Sequence, residues 1–437
     1  MKNNLTLFQI IILGIFGALA LGGMVYFATG TYGSSSGQVG EVLIWGTLDD
    51  RVFNAVMRDL AEDNPALLQT TYVEKPIETF SAELSEAIAS GRGPDLYVLQ
   101  SDYILKDFPK IFPFLSAGEK FSISERVFKD TFIDGAELFW SSQGALGIPI
   151  AVDPMVLFWN RDLLATAGFA EPPTEWEDLF DIAERATRRD SSKSILKSAI
   201  ALGEYDNVTH AKEILSLLIL QAGSAITERD EAGRVRPSLQ RSSLDITQPA
   251  QNALRFFVEF ANPTKTVYSW NGSLPQSRTM FTNGDLLLYL GFASEIPVLR
   301  AQNPNLNFNV AVVPQLKDTS KALTFGRIYA LAVPRGSKNE TGARSVALLL
   351  GSKPTSALLA KARGTPSPRR DLLADPADGP EGVMRDSAIR TKGWLDPDPT
   401  QSGSVFRNMV DGAVSGSARL SEASQRAERE LANLLGL

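Results

Sequence analysis

The order of apolar segments beyond Glu41 constrains this chain more than any other feature. Short strand-like runs alternate with stretches whose apolar residues recur every three or four positions. Val42-Leu43-Ile44-Trp45 ends at Gly46-Thr47, and in residues 51–64 that follow, Phe53, Val56, Met57, Leu60 and Ala61 fall on one helical face. Residues 69–73 read as a second strand and residues 80–90 as a helix with Leu84, Ala87 and Ile88 inward. Residues 95–99 read as a third strand after the Gly91-Arg92-Gly93-Pro94 break. This β-α-β-α-β order predicts a mainly parallel sheet covered by helices. Open sheets of this kind bind ligands at the carboxyl ends of their strands, which singles out residues 46–50 and 100–103.

The N-terminus is different in kind. Residues 5–28 are uncharged and nearly all apolar, Lys2 precedes them, and the next charge is Glu41. As a helix, 24 residues reach roughly 36 Å, enough to cross a bilayer core. The positive flank directs the N-terminus to the cytoplasm and the remaining chain outside. Two readings compete: an uncleaved anchor over residues 1–29, or a secretory signal peptide cut after Ala18-Leu19-Ala20. The length of the run favours the anchor. Residues 30–40, with Thr31-Tyr32-Gly33-Ser34-Ser35-Ser36-Gly37, read as a flexible linker. The expected location is the outer side of the cytoplasmic membrane.

Later in the chain, Gly144–Asp153 is a Gly- and Pro-marked extended segment running into the apolar run Met155–Asn160, as expected of a crossover between two lobes. Residues 286–290, 310–313 and 328–333 read as strands, and residues 228–243 as an exposed charged loop. With 437 residues and 44% hydrophobic residues the chain can bury one large core or two smaller ones. Its 43 Lys+Arg against 50 Asp+Glu give a net charge of −7, which argues against a general nucleic-acid binder. The absence of Cys excludes disulfides, thiolate metal sites and cysteine catalysis. The lone His210 cannot build a His-rich metal site and reads as a surface or capping residue. No H-E-x-x-H or Walker A pattern occurs, the single G-x-S-x-G match (Gly33-Ser34-Ser35-Ser36-Gly37) falls in the Gly/Ser linker, and nothing singles out a carboxylate pair for glycoside hydrolysis.

Several blocks, in order, resemble the extracellular solute-binding proteins of ABC importers, in the branch of maltose- and oligosaccharide-binding proteins. They are Ile44-Trp45-Gly46, SGRGPDLYVLQSDY, GALGIPIAVDPMVLFWNRDLLATAGFAEPPTEWEDL, MFTNGDLLLYLGFASE, VAVVPQLKD, GRIYALAVPRGSKNETGARSVALLL and GTPSPRRDLL. The resemblance spans residues 41–437 and implies an α/β fold of two lobes joined by hinge crossovers, here preceded by a transmembrane helix. Lobe 1 would be residues 41–150 plus 315–365, and lobe 2 residues 151–313 plus 366–437. The lobes would close on a small polar solute, a carbohydrate foremost, and deliver it to ABC permease subunits. The resemblance implies no catalysis and no cofactor. Iron-binding relatives use paired tyrosines, and no Tyr-Tyr occurs here. The alternative is a membrane-tethered sensor with the same fold and no import. An enzyme, a glycan hydrolase on another fold, is the third reading.

A polyhydroxylated ligand needs aromatic rings for its C–H faces and planar polar groups for its hydroxyls. From the predicted sheet edge, Thr47, Asp49, Gln100, Ser101 and Asp102 are candidates, with helix capping as the competing role of Asp49 and Asp102. Trp270, Phe325, Arg327 and Trp394 are candidates because they lie in loop-like segments. The resemblance adds Asp153, just past the hinge Pro149, and Phe292 and Ser294 after Gly291. Asp153 and Trp394 carry most of the expectation. Trp45, Trp159 and Trp176 read as core.

Overall fold

The computed structural model describes residues 39–115, 117, 121–244, 246–317 and 322–437. The apolar segment 5–28 and residues 30–38 of the linker lie outside the described residues. Among the described residues no helix is long and apolar enough to cross a membrane.

The first strands form where the apolar runs predict them. Strands β1 (Val42–Gly46), β2 (Thr70–Glu74) and β3 (Leu96–Gln100) pair in parallel in the order β2-β1-β3. Helix α1 (Asp50–Asp63) buries the five apolar residues at its three-and-four spacing, and the Asp49 carboxylate caps it by accepting from the N–H groups of Arg51 and Val52. Helix α2 (Ile77–Ala89) starts three residues earlier than predicted and fully buries only Leu84. Ahead of β3, Asp95 accepts from Leu43 N, Ser337 Oγ and Asn339 N, which fixes the Gly-Pro-Asp turn to the first strand and to a distant helix start.

Two long strands carry the chain between the halves of the main sheet. Strand β4 (Ile148–Asn160) is buried at every position. The second half is built on it by β5 (Ile195–Ile200), β6 (Leu286–Phe292) and β7 (Phe308–Ala311). Strand β8 (Thr324–Pro334) pairs antiparallel with β4 through residues 326–331 and with β3 through residues 329–332. The main path reads β2-β1-β3-β8-β4-β6-β5. A register shift between Tyr329 and Ala330 bends β8 where it passes from one half to the other.

Helix α3 (Ala211–Gln221) follows β5 and is buried on nearly all sides, so its first turn is held rigidly at the carboxyl edge of the second half. Near the C-terminus, α4 (Pro399–Val414) and α5 (Leu420–Leu434) present Val405, Phe406, Met409 and Val410, and Ala423, Ala427 and Leu431, to the same core. The segment expected to be an exposed loop is a correction. It contains a hairpin of Thr227–Arg229 and Val235–Pro237, because Asp230 accepts from Ala232 N and Arg234 N and Gly233 takes φ +78°.

Candidate functional site

At the end of β6, Gly291 leads into a short loop that two buried carboxylates hold. A Cβ at Gly291 would meet Tyr289 Cε1 at 2.6 Å and Glu295 Oε1 at 2.9 Å, so only glycine admits this approach. Asp153, on β4, accepts from Ser294 N at 2.9 Å and Ser294 Oγ at 2.6 Å. Burial raises the Asp153 carboxyl above its ordinary pKa, more than these bonds and the nearby arginines lower it. Glu295 accepts from His210 Nε2 (2.7 Å), Arg278 Nε (2.7 Å), Tyr289 Oη (2.7 Å) and Phe292 N (2.9 Å). Burial alone would raise this carboxyl; His210 and Arg278 overcome it and bring the pKa to about 2. The two anchors set the Phe292 ring in place, with the His210 ring edge-on to it at 4.8 Å.

Strand β8 brings Arg327 opposite Asp153, with its guanidinium 4.2 Å from the centre of the Phe292 ring. Arg327 Nη2 donates to Glu213 on the first turn of α3, and its Nε lies 3.7 Å from Asp102 Oδ2. Burial raises the Glu213 carboxyl, and attraction to Arg327, His210 and Lys212 outweighs it, bringing the pKa to about 2. Asp102 also accepts from Gln100 Nε2 at 2.9 Å and from Ser101 Oγ at 3.3 Å, while Ser101 Oγ accepts from Ile328 N at 3.2 Å. Residues from β3, β8, α3 and the β6 loop therefore meet at one point beside the hinge strands.

Around that point lies a ring of further charge pairs. Lys106 bonds Asp398 at 2.8 Å, joining the segment after β3 to the start of α4. Lys212, next to Glu213, pairs with Asp396 and stands 5.5 Å from the centre of the Trp394 ring. Thr47, Gln100 and Tyr103 share a small pocket with Ile77 and Phe80.

Asp102, Asp153, Phe292, Ser294 and Arg327 thus come together, with Gln100 and Ser101 tied to Asp102 and the Phe325 ring 6.4 Å from Phe292. Thr47 adjoins Gln100. Two candidates do not join them. Trp270 is fully buried and donates from Nε1 to Asn207 at 2.9 Å, so its irregular segment reflects a core ring anchored through its N–H. The Asp49 carboxylate serves as the α1 cap and pairs with Arg51. Trp394, a candidate for its loop-like segment, is 4% exposed, stacks on Phe406 at 5.9 Å and lies 5.5 Å from Lys212 beside Glu213. His210 is not a surface residue either: its ring is enclosed by Glu295 and Phe292.

Reading the sequence missed Glu213, Lys212, Lys106 and Glu295. The first two had a signal, since the helix after β5 starts at a strand's carboxyl edge. Among the described residues one cluster of acids is close enough to surround a cation: Asp49, Asp50 and Glu74. Two of its carboxylates already accept backbone N–H groups at the start of α1.

Comparison with known proteins places this geometry. A galactooligosaccharide-binding protein of Bacillus subtilis (strain 168) is 20% identical over 91% of each chain. The fold matches a cyclo/maltodextrin-binding protein solved with maltotetraose at TM-score 0.70 and 17% identity, covering 91% of this chain and 98% of that one. It also matches a cyclic α-maltosyl-1,6-maltose binding protein from Arthrobacter globiformis at TM-score 0.72 and 16% identity, covering 90% and 98%. Those likenesses bear out the two-lobed α/β fold. The sequence model for bacterial extracellular solute-binding proteins matches residues 56–389, and the chain belongs to that family, as its resemblance to ABC-importer receptors implied.

Proposed function

We propose that this protein captures an oligosaccharide outside the cytoplasmic membrane between two lobes that shut on it, and passes it to an ABC permease. The observation that carries the reading is the meeting of the Phe292 ring, Arg327, Asp102 and Glu213 beside β4 and β8, the two strands that connect the halves of the sheet. Phe292 is 2% exposed with Arg327 on its face, so a sugar with apolar C–H faces and polar edges reaches this mixed aromatic and charged surface as the lobes part. The saccharide names of similar proteins support the same class. The bodies that move are residues 41–150 plus 315–365 and residues 151–313 plus 366–437. The segment 1–29 tethers them to the membrane.

A ligand shifts such an equilibrium only by its preference for the shut form, so affinity reports contacts made to both sides together. Isothermal titration of the chain from residue 39 onward against neutral oligosaccharides should give at least one micromolar binder. Small-angle scattering should show a more compact particle with that ligand. Flat titrations across malto- and galacto-oligosaccharides, monosaccharides and polyols would refute the proposal.

A further inference from the structure

Arg327 is the natural acceptor of a carboxylate in this cleft. Its guanidinium is stacked 4.2 Å from the Phe292 ring centre, presents a planar fork, and has a buried Nε without a hydrogen-bond partner. A sugar acid could use that fork in both its bonds if the fork were free. It is not free: Glu213 holds Nη2, and Asp102 lies 3.7 Å from Nε. Lys106 is matched by Asp398 and Lys212 by Asp396 in the same way, while Arg363 has no ion pair among the described residues and lies against the Tyr329 ring at 5.7 Å. Asp153 adds a buried acid whose direct donor is Ser294, with Arg363 and Arg327 acting on it only at longer range. Among the described residues of the cleft, Asp102, Asp153, Glu213, Asp396 and Asp398 outnumber Arg327, Lys106, Lys212 and Arg363.

We propose that Glu213 and Asp102, by neutralising Arg327 on the face of Phe292, are specificity-determining residues that make the cleft accept uncharged saccharides and turn away those bearing a carboxylate. This inference rests on the saccharide reading given above. An anionic ligand reaching Arg327 has to displace Glu213, whose side chain is only 15% exposed, and so leaves a buried carboxylate without its cation. It also places its own charge beside Asp102 and Asp153, a repulsive element of the kind that discriminates between partners. A neutral hydroxyl meets neither obstacle. It donates to Asp102 or Glu213 while the ion pair stays intact.

The test is calorimetric titration of the wild type, Glu213→Gln and Asp102→Asn with a neutral galacto- or malto-trisaccharide and with tri-galacturonate at the same length. The wild type should bind the uronate at least a hundredfold more weakly than the better neutral trisaccharide. Glu213→Gln should raise the uronate-to-neutral affinity ratio at least tenfold, and Asp102→Asn about threefold. Adding Arg327→Gln to Glu213→Gln should cancel the gain. Should Glu213→Gln fail to fold, the Asp102→Asn ratio decides alone. Neutral binding by the wild type with unshifted ratios in the folded variants overturns this inference and leaves the saccharide reading standing. So does a wild type that binds both ligands equally. A wild type that binds no saccharide at all refutes both.

Discussion

The two sides of the cleft are built on different physics. On the second half of the sheet, the loop after β6 hangs from β4 and β6 by carboxylates that are themselves buried: Glu295 with its four donors and Asp153 with the two groups of Ser294. On the first half, Gln100 ends β3, Ser101 and Asp102 open a short 3₁₀ turn, and Lys106 reaches over to Asp398 with its side chain one-third exposed. Buried hydrogen-bonded networks fix a geometry at high cost to any defect. Exposed ion pairs adapt and contribute little. The contrast teaches that one wall is fixed by buried bonds and the other by ion pairs nearer the surface; under the proposed function the first would be the template and the second the cover that opens.

The comparison breaks most readily at Glu295. Glu295→Ala leaves Arg278, Tyr289 Oη and the Phe292 N–H without their acceptor and should lower stability by about 3–5 kcal/mol, read as a drop in the denaturation midpoint. Asp398→Ala on the rim, which also removes the α4 cap on Thr400 N and Gln401 N, should cost no more than about 2 kcal/mol. Equal losses would mean that the two walls do not differ in kind.

Acid sharpens the same contrast. Glu295 and Glu213 ionise near 2 in the fold against an ordinary 4.5, so folding favours their charged forms. The stability each contributes is complete above about 4.5 and is lost as the pH falls through that range towards about 2. The linkage amounts to about 3 kcal/mol per group. Asp153 works against them, since burial raises its carboxyl and protonation relieves it. Acid unfolding followed by circular dichroism should therefore be steep below pH 4.5 in the wild type and flatter in Glu295→Gln. Identical slopes would show that Glu295 does not supply the difference.

How much of this was legible in the residues depends on whether the signal was local. Phe53, Val56, Met57, Leu60 and Ala61 announced α1 by spacing, and the Gly91-Arg92-Gly93-Pro94 break announced the start of β3, whereas the partners of Asp95 lie 52, 242 and 244 residues away. The residues of the site that a strand's carboxyl edge delivers, Gln100 to Asp102, followed from topology. Asp153, Phe292 and Ser294 followed from family resemblance. Trp270 misled because its irregular backbone hid a fully buried ring. A Trp with a partner for its N–H, or a ring to stack on, is buried as readily in a loop as in a strand. Glu213, Lys212 and Glu295 are separated by up to 184 residues from the side chains that give them meaning, and no pattern along the chain encodes such a meeting.

Asp153 tests the template at a smaller scale. Asp153→Ala strips the Ser294 N–H and hydroxyl of their acceptor and should cost about 1–3 kcal/mol in stability. Because Ser294 borders the loop that holds Phe292, saccharide affinity should fall with it. Asp153→Asn keeps one acceptor oxygen and should recover most of the loss in both assays. Failure of the asparagine variant to recover affinity would place the charge of Asp153, not its shape, in contact with the ligand.

The smallest effect belongs to the cover. Lys106 Nζ and Asp398 meet at 2.8 Å across the mouth, with side chains 33% and 16% exposed, and the pair raises the ammonium pKa while helping to lower that of the carboxyl. Water and salt reach such a pair, so Lys106→Ala should change unfolding stability by no more than about 1 kcal/mol. Its consequence lies in the balance between shut and open forms. Without a ligand, scattering of Lys106→Ala should show a larger radius of gyration than the wild type, and raising the salt concentration should move the wild type in the same direction. With saturating saccharide the two should coincide, since ligand contacts then hold the walls together. A Lys106→Ala variant as compact as the wild type at low salt would show that the mouth is held by the Arg327–Glu213 pair beneath it, and the cover would then be as much a part of the template as the loop at Phe292.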